Sequence, residues 1–184
     1  MTLHADVAEL LAAAGIPGVD VDDAVADEHV RWSAYRRIVS VIASSPSRDR
    51  DRAIVATILR DPVEMVAKSA VVALVDEIAM RTAGPAEFRE WASGLLPEID
   101  GLEGEGHREF IRRRIRDWLF HLHVQDGHVP TTAELAEVTD WMQRTLAEES
   151  RSPAVLALLA ESGRRKKTRN VAENRARSRE LRPR

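Results

Sequence analysis

The chain of 184 residues contains no cysteine. That removes disulfides, thiolate metal sites and cysteine nucleophiles together. No apolar run approaches the roughly 18 residues of a membrane span. The N-terminus, Met1-Thr2-Leu3-His4-Ala5-Asp6, has neither the positive region nor the apolar stretch of a secretory signal, so a cytoplasmic location is expected. There is no phosphate-binding glycine loop, no GxGxxG and no GxSxG. Catalysis has no positive support, and no catalytic residue, metal site or cofactor is assigned. Lysine is scarce too: Lys68, Lys166 and Lys167 stand against 24 arginines, beside 26 alanines. Alanine and arginine have GC-rich codons. The composition points to a high-GC bacterial genome, and part of the arginine excess follows from codon usage.

What is present is ordinary globular chemistry, 44% apolar and 31% charged residues. The length suits one domain with a small appendage, enough to bury roughly 70% of the unfolded surface. The net charge of −3 conceals an asymmetry. Residues 164–184 hold ten Lys and Arg against two Asp and Glu, whereas residues 1–163 hold 17 against 28. The expected organisation is an acidic helical domain, 1–163, and a basic arginine-rich tail, 164–184.

The pattern is helical nearly throughout. Leu3, Val7, Leu10, Leu11 and Ala14 share a helical face, stopped by Gly15 to Gly18. The acidic stretch 19–28 reads as loop or a short turn. Trp32, Tyr35, Ile38, Val39 and Ile42 mark a second helix, and residues 49–60 a third. Asp61-Pro62 reads as the start of a fourth, Asp as N-cap and Pro at the first helical position. Gly84-Pro85 starts a fifth, ended by Leu96-Pro97. A sixth, from His107 to about His123, carries the stripe Ile111, Ile115, Trp118, Leu119 and Leu122. Thr131 and Glu134 have capping-box spacing, and the helix they start extends through Trp141 to Leu146. Ser152-Pro153 starts the last compact helix, with Gly163 as its C-cap. The expectation is all-α, with about eight helices and no strand. The four tryptophans fall on four helices and read as anchors of one core.

Residues 52–79, RAIVATILRDPVEMVAKSAVVALVDEIA, resemble a single HEAT-type repeat. Asp61 and Pro62 match its inter-helix turn; Val66, Lys68, Ala70, Ala73 and Leu74 match its second helix. The resemblance covers about 30 of 184 residues, and no second copy is evident. Two architectures therefore stand: a short HEAT-like helical repeat, or an irregular α-bundle with one HEAT-like hairpin. The resemblance implies protein binding through stacked helices and no catalysis.

The candidate functional residues are basic. Arg164, Arg165, Lys166, Lys167, Arg169, Arg175, Arg177 and Arg179 form a segment suited to RNA or DNA phosphates, without an interleaved aromatic to stack on bases. The bland alternative is a solvated tail, or a basic arm lying on its own acidic body. Arg112, Arg113 and Arg116 lie on the sixth helix, facing away from its apolar stripe; a solvated face competes there with a second phosphate patch. His121, His123 and His128 lie near Asp126, but residues two apart diverge on a helix, and these histidines read as caps of helix carbonyls rather than metal ligands. Asp20, Asp22, Asp23, Asp27 and Glu28 lack the spacing of a calcium loop.

The function expected from these features is a non-catalytic protein–protein interaction module, a HEAT-like adaptor whose acidic body would suit an immunity- or antitoxin-like role against a basic nuclease. The alternative is a nucleic-acid-associated protein that grips phosphates through its basic tail. A protein partner is expected, nucleic acid is the alternative partner, and no membrane partner is expected.

Overall fold

A computed structural model describes residues 2–178 of the chain; Arg179 lies outside them. The class is all-α. Eleven helices and no strand occur among the described residues. They cluster into two compact units, residues 1–115 and 116–184, divided within the seventh helix. The change of charge at residue 164 does not mark this division.

In the first unit, α1 (Leu3–Ala13) is capped by the Thr2 hydroxyl, which accepts the Ala5 N–H. It ends in a left-handed Gly15, φ 62°, whose N–H donates to the Ala12 carbonyl while the Ile16 N–H reaches Leu11. The acidic stretch expected as loop contains a short helix, α2 (Val21–Ala26). Its aspartates are the reason. The Asp20 carboxylate accepts the Asp22 and Asp23 N–H groups at 2.8 and 3.2 Å, and Asp27 caps the next helix through the His29 N–H at 2.7 Å.

Helix α3 (Glu28–Ala43) packs along α5 (Glu64–Arg81), and α4 (Asp51–Ile58) packs on α6 (Pro85–Asp100). Tyr35, Ile38, Ile58, Leu74, Phe88, Leu95 and Ile99 are fully buried between them. The hairpin of residues 52–79 is helical in both arms, as the alanine-rich pattern indicates.

Asp61 does not cap α5, which begins three residues later at Glu64. Its carboxylate has a different task. Arg31 donates from Nε to Oδ2 at 2.6 Å and from Nη2 to Oδ1 at 3.3 Å. The Tyr35 hydroxyl donates at 3.0 Å and the Val63 N–H at 2.8 Å. Arg31 also donates to the carbonyls of Ala24 and Val25. Arg31, Tyr35 and Asp61 are all buried, so this cluster ties α2, α3 and the α4–α5 turn together with its polar groups paired. A bidentate pair from Arg60 to the buried Asp6 joins the end of α4 to α1.

Helix α6 also departs from expectation: Pro97 lies inside it, and it runs on to Asp100. Proline removes one helix hydrogen bond. Ile99, fully buried on the same face as Leu95, keeps the last turn against the core.

Helix α7 (Glu105–Gln125) gives Ile111 and Ile115 to the first unit and Trp118 and Leu122 to the second, all buried. It closes on another left-handed glycine, Gly127 at φ 99°, with the same pair of backbone bonds as at Gly15. In the second unit the Thr131–Glu134 capping box is present and starts α8 (Thr132–Glu137). The single helix expected from Thr131 to Leu146 is broken at Thr139. The buried Asp117 accepts both the N–H and the hydroxyl of Thr139, whose oxygen caps α9 (Asp140–Glu149) in turn. Ser152 caps α10 (Pro153–Ser162), which ends at Gly163.

The basic segment forms α11 (Lys166–Ala176), packed on α9 and α10. Thr168 and Ala172, four residues apart, are its buried contacts. Small residues there let the helix axes approach. The tryptophans do not anchor one core. Trp32 and Trp91 belong to the first unit, Trp118 and Trp141 to the second, and Trp141 is 39% exposed, edge-on to Trp118.

Candidate functional site

The basic residues singled out in the sequence are used unevenly. Arg164 and Arg165 converge on one carboxylate. Arg164 donates to Asp140 Oδ1 at 2.7 Å and Arg165 to Oδ2, and these bonds hold the Asp140 carboxyl below its usual range. Arg164 also donates to the carbonyls of Ala136 and Val138. Arg169 turns back to the carbonyls of Gly163 and Arg164. Arg175 donates to the Ala147 carbonyl at 3.1 Å, in the last turn of α9, where the helix dipole favours a cation. Arg177 pairs with Glu173 one turn earlier. Lys166 and Lys167 are exposed in the first turn of α11. As far as residue 178, the segment is thus largely a basic arm folded on its own unit.

Arg112 and Arg113 lie in the first unit, where Arg112 pairs with Asp100 and Arg113 is exposed; Arg116 is exposed in the second. The neighbouring Arg114 pairs with Asp76 at 3.6 Å and lies near the half-exposed Phe110 ring, which also receives the Lys68 ammonium at 4.7 Å.

His121 and His128 face carboxylates rather than helix carbonyls. His128 meets Glu134 at 3.1 Å on the surface. His121 is buried, its ring edge-on to Trp118, with Nε2 3.4 Å from Glu149 Oε2 and Nδ1 without a partner. Burial holds the His121 imidazole below its ordinary range, against the opposing pull of Glu149. An imidazole with one nitrogen toward a carboxylate resembles the base of a catalytic triad, but no hydroxyl takes the other nitrogen. Among the described residues, no three histidines or carboxylates are grouped to hold a metal ion.

One opening was not singled out in the sequence. In the first unit, the approach to α4 and one face of α6 line an open cavity of about 330 Å³. Its wall is Trp91, whose indole N–H donates to Asp51 at 2.9 Å. Asp51 is 2% exposed, and burial raises its carboxyl above the usual range despite the bonds from Trp91 and Arg48. Arg48, Asp49, Arg52, Glu87, Glu90, Gly94 and Leu95 complete the lining. The spacing of Glu87, Glu90, Trp91 and Gly94 on one helix face is readable in the sequence. That α4 faces them is not.

No family model matches the chain, and neither the curated proteins nor the solved structures compared with it give a match.

Proposed function

We propose that the chain is a non-catalytic protein-interaction module that presents its acidic, HEAT-like first unit to a basic partner. The carrying observation is how the two sets of charge are used. The arginines from 164 to 177 are engaged by groups of their own unit. Residues 1–115 hold 20 acidic against 14 basic residues. An acidic surface of this kind steers a basic partner into contact and disfavours nucleic acid. The helical pair α4–α5, with Asp61 at its turn and alanines on α5, supports the HEAT-like reading.

A second reading keeps one specific support. Lys166 and Lys167 stand exposed at a helix N-terminus, where their positive charge adds to that of the backbone N–H groups. In this reading the chain grips phosphates there. Affinity capture separates the two, using full-length bait and its Lys166→Glu/Lys167→Glu variant, with captured protein and nucleic acid both quantified. The interaction module keeps the same protein partner in both. Nucleic acid captured by the parent chain and lost with the two lysines transfers the function to the second reading.

A further inference from the structure

We propose that the α4–α6 cavity is a socket for an arginine side chain of a partner protein. This rests on the interaction reading above and names the chemistry the partner presents. Three features point to it.

The wall is rigid. The Trp91 indole is fixed by its N–H bond to Asp51, which is itself buried at the start of α4 and held by Arg48 at 3.2 Å. A fixed aromatic face loses little freedom when a ligand stacks on it.

The uncancelled charge at the opening is negative. Arg48 is engaged by Asp51 and by the carbonyls of Ile42 and Ser45, and Arg52 by Glu98 at 2.8 Å. Asp49 and Glu87 accept from neutral groups, the Ser47 hydroxyl and the Ala83 N–H, which leave their charge in place. Glu90 adds a third carboxylate. An anionic ligand is repelled, and an apolar one would strip water from carboxylates without replacing it.

The space beside the indole is open at Gly94. A Cβ at Gly94 would meet nothing within 4 Å. A planar guanidinium can stack on the indole while its edge donates to carboxylates, a combination that the compact ammonium of lysine matches less well.

The test uses the full-length chain with nitrogen-15 label in its tryptophan side chains. The probe is an octapeptide of alternating arginine and glycine, compared with its lysine and glutamate counterparts. The Trp91 indole resonance is assigned by its loss in Trp91→Phe. A saturable shift of that resonance is expected with the arginine peptide, several-fold weaker binding with lysine, and no shift with glutamate. Gly94→Leu, which fills the opening and replaces a helix-interior glycine, should abolish the shift and keep the helical circular dichroism. Should Gly94→Leu not fold, Glu87→Gln/Glu90→Gln should weaken the arginine peptide by roughly tenfold. No Trp91 shift, equal affinity for lysine, a shift that survives Gly94→Leu, or affinity unchanged without the two glutamates each overturns the socket. The parent reading fails differently. A captured partner held equally by wild type and Gly94→Leu leaves the interaction module standing and removes the socket. A Trp91 that responds to arginine in a chain capturing no protein does the reverse.

Discussion

Removing the Arg31 guanidinium, by Arg31→Met, is the most demanding test of the fold described above. The side chain is 3% exposed and the Asp61 side chain 0%. Methionine keeps much of the volume but withdraws the donors at 2.6 and 3.3 Å from Asp61 and those that serve Ala24 and Val25. Asp61 keeps only the Tyr35 hydroxyl and the Val63 N–H. Breaking a buried pair from one side costs about 3–5 kcal/mol, because the remaining charge is left uncompensated. Against a typical domain stability of about 5–15 kcal/mol, that is a large fraction. For a chain of this length it corresponds to a fall in Tm of roughly 6–20 °C. The double variant Arg31→Met/Asp61→Asn removes the orphaned charge and should recover about 0.5–3 kcal/mol. Urea unfolding followed by circular dichroism measures both. A cost below about 1 kcal/mol for Arg31→Met, or no recovery in the double variant, would refute the assignment of Asp61 as a buried anion that depends on Arg31.

Three further outcomes follow from particular positions. His121 is held below its ordinary pKa by burial, so near pH 6.5 the unfolded chain takes up a proton that the folded chain resists. Its contribution to stability is full above that pH and is lost as pH falls through it; Tm measured from pH 8 to 5 should drop on the acid side, and less steeply in His121→Leu. Pro97→Ala should raise stability by up to about 3 kcal/mol, since it returns a helix hydrogen bond in a turn the core already holds; an unchanged denaturation midpoint would mean the helix is bent around the proline at no cost. Ala172→Leu should lower stability by about 1–3 kcal/mol through overpacking under α11; no loss on unfolding would show that the basic helix is not docked on its unit.

The helical class was legible because local signals repeat. Apolar residues recur at helical spacing from Leu3 to Leu159, Thr131 and Glu134 cap each other, and Ser152-Pro153 starts a helix where its chemistry says it should. Each of these depends on groups within about four residues, and such groups are adjacent whatever the rest of the chain does. The two helical arms of residues 52–79 were legible for the same reason.

The errors share one physical cause, which is that a polar or constrained residue was assigned its local role when a distant partner claimed it. Asp61 has the context of an N-cap but ends as the anion of Arg31, 30 residues away. Thr139 reads as mid-helix until Asp117, 22 residues away, makes it a cap. Pro97 stops a helix by its own geometry and is overridden by burial of Ile99. The basic segment stays open in the sequence between a phosphate-binding segment, a solvated tail and an arm lying on its own body; the structure buries Thr168 and Ala172, and small residues suffice when a helix lies close.

The sequence by itself determined the helical class, most helix ends, the acidic and basic division and the absence of cysteine chemistry, since these are properties of composition and of neighbours along the chain. Tertiary structure alone decided that the chain divides within α7, that the arginines of α11 turn onto their own unit, and that Trp91 and Asp51 meet across α4 and α6 to leave an opening. Some of the pairings that decide which charges stay open are distant, Arg52 with Glu98 46 positions away and Arg164 with Asp140 24 away, and local pattern carries no information about those.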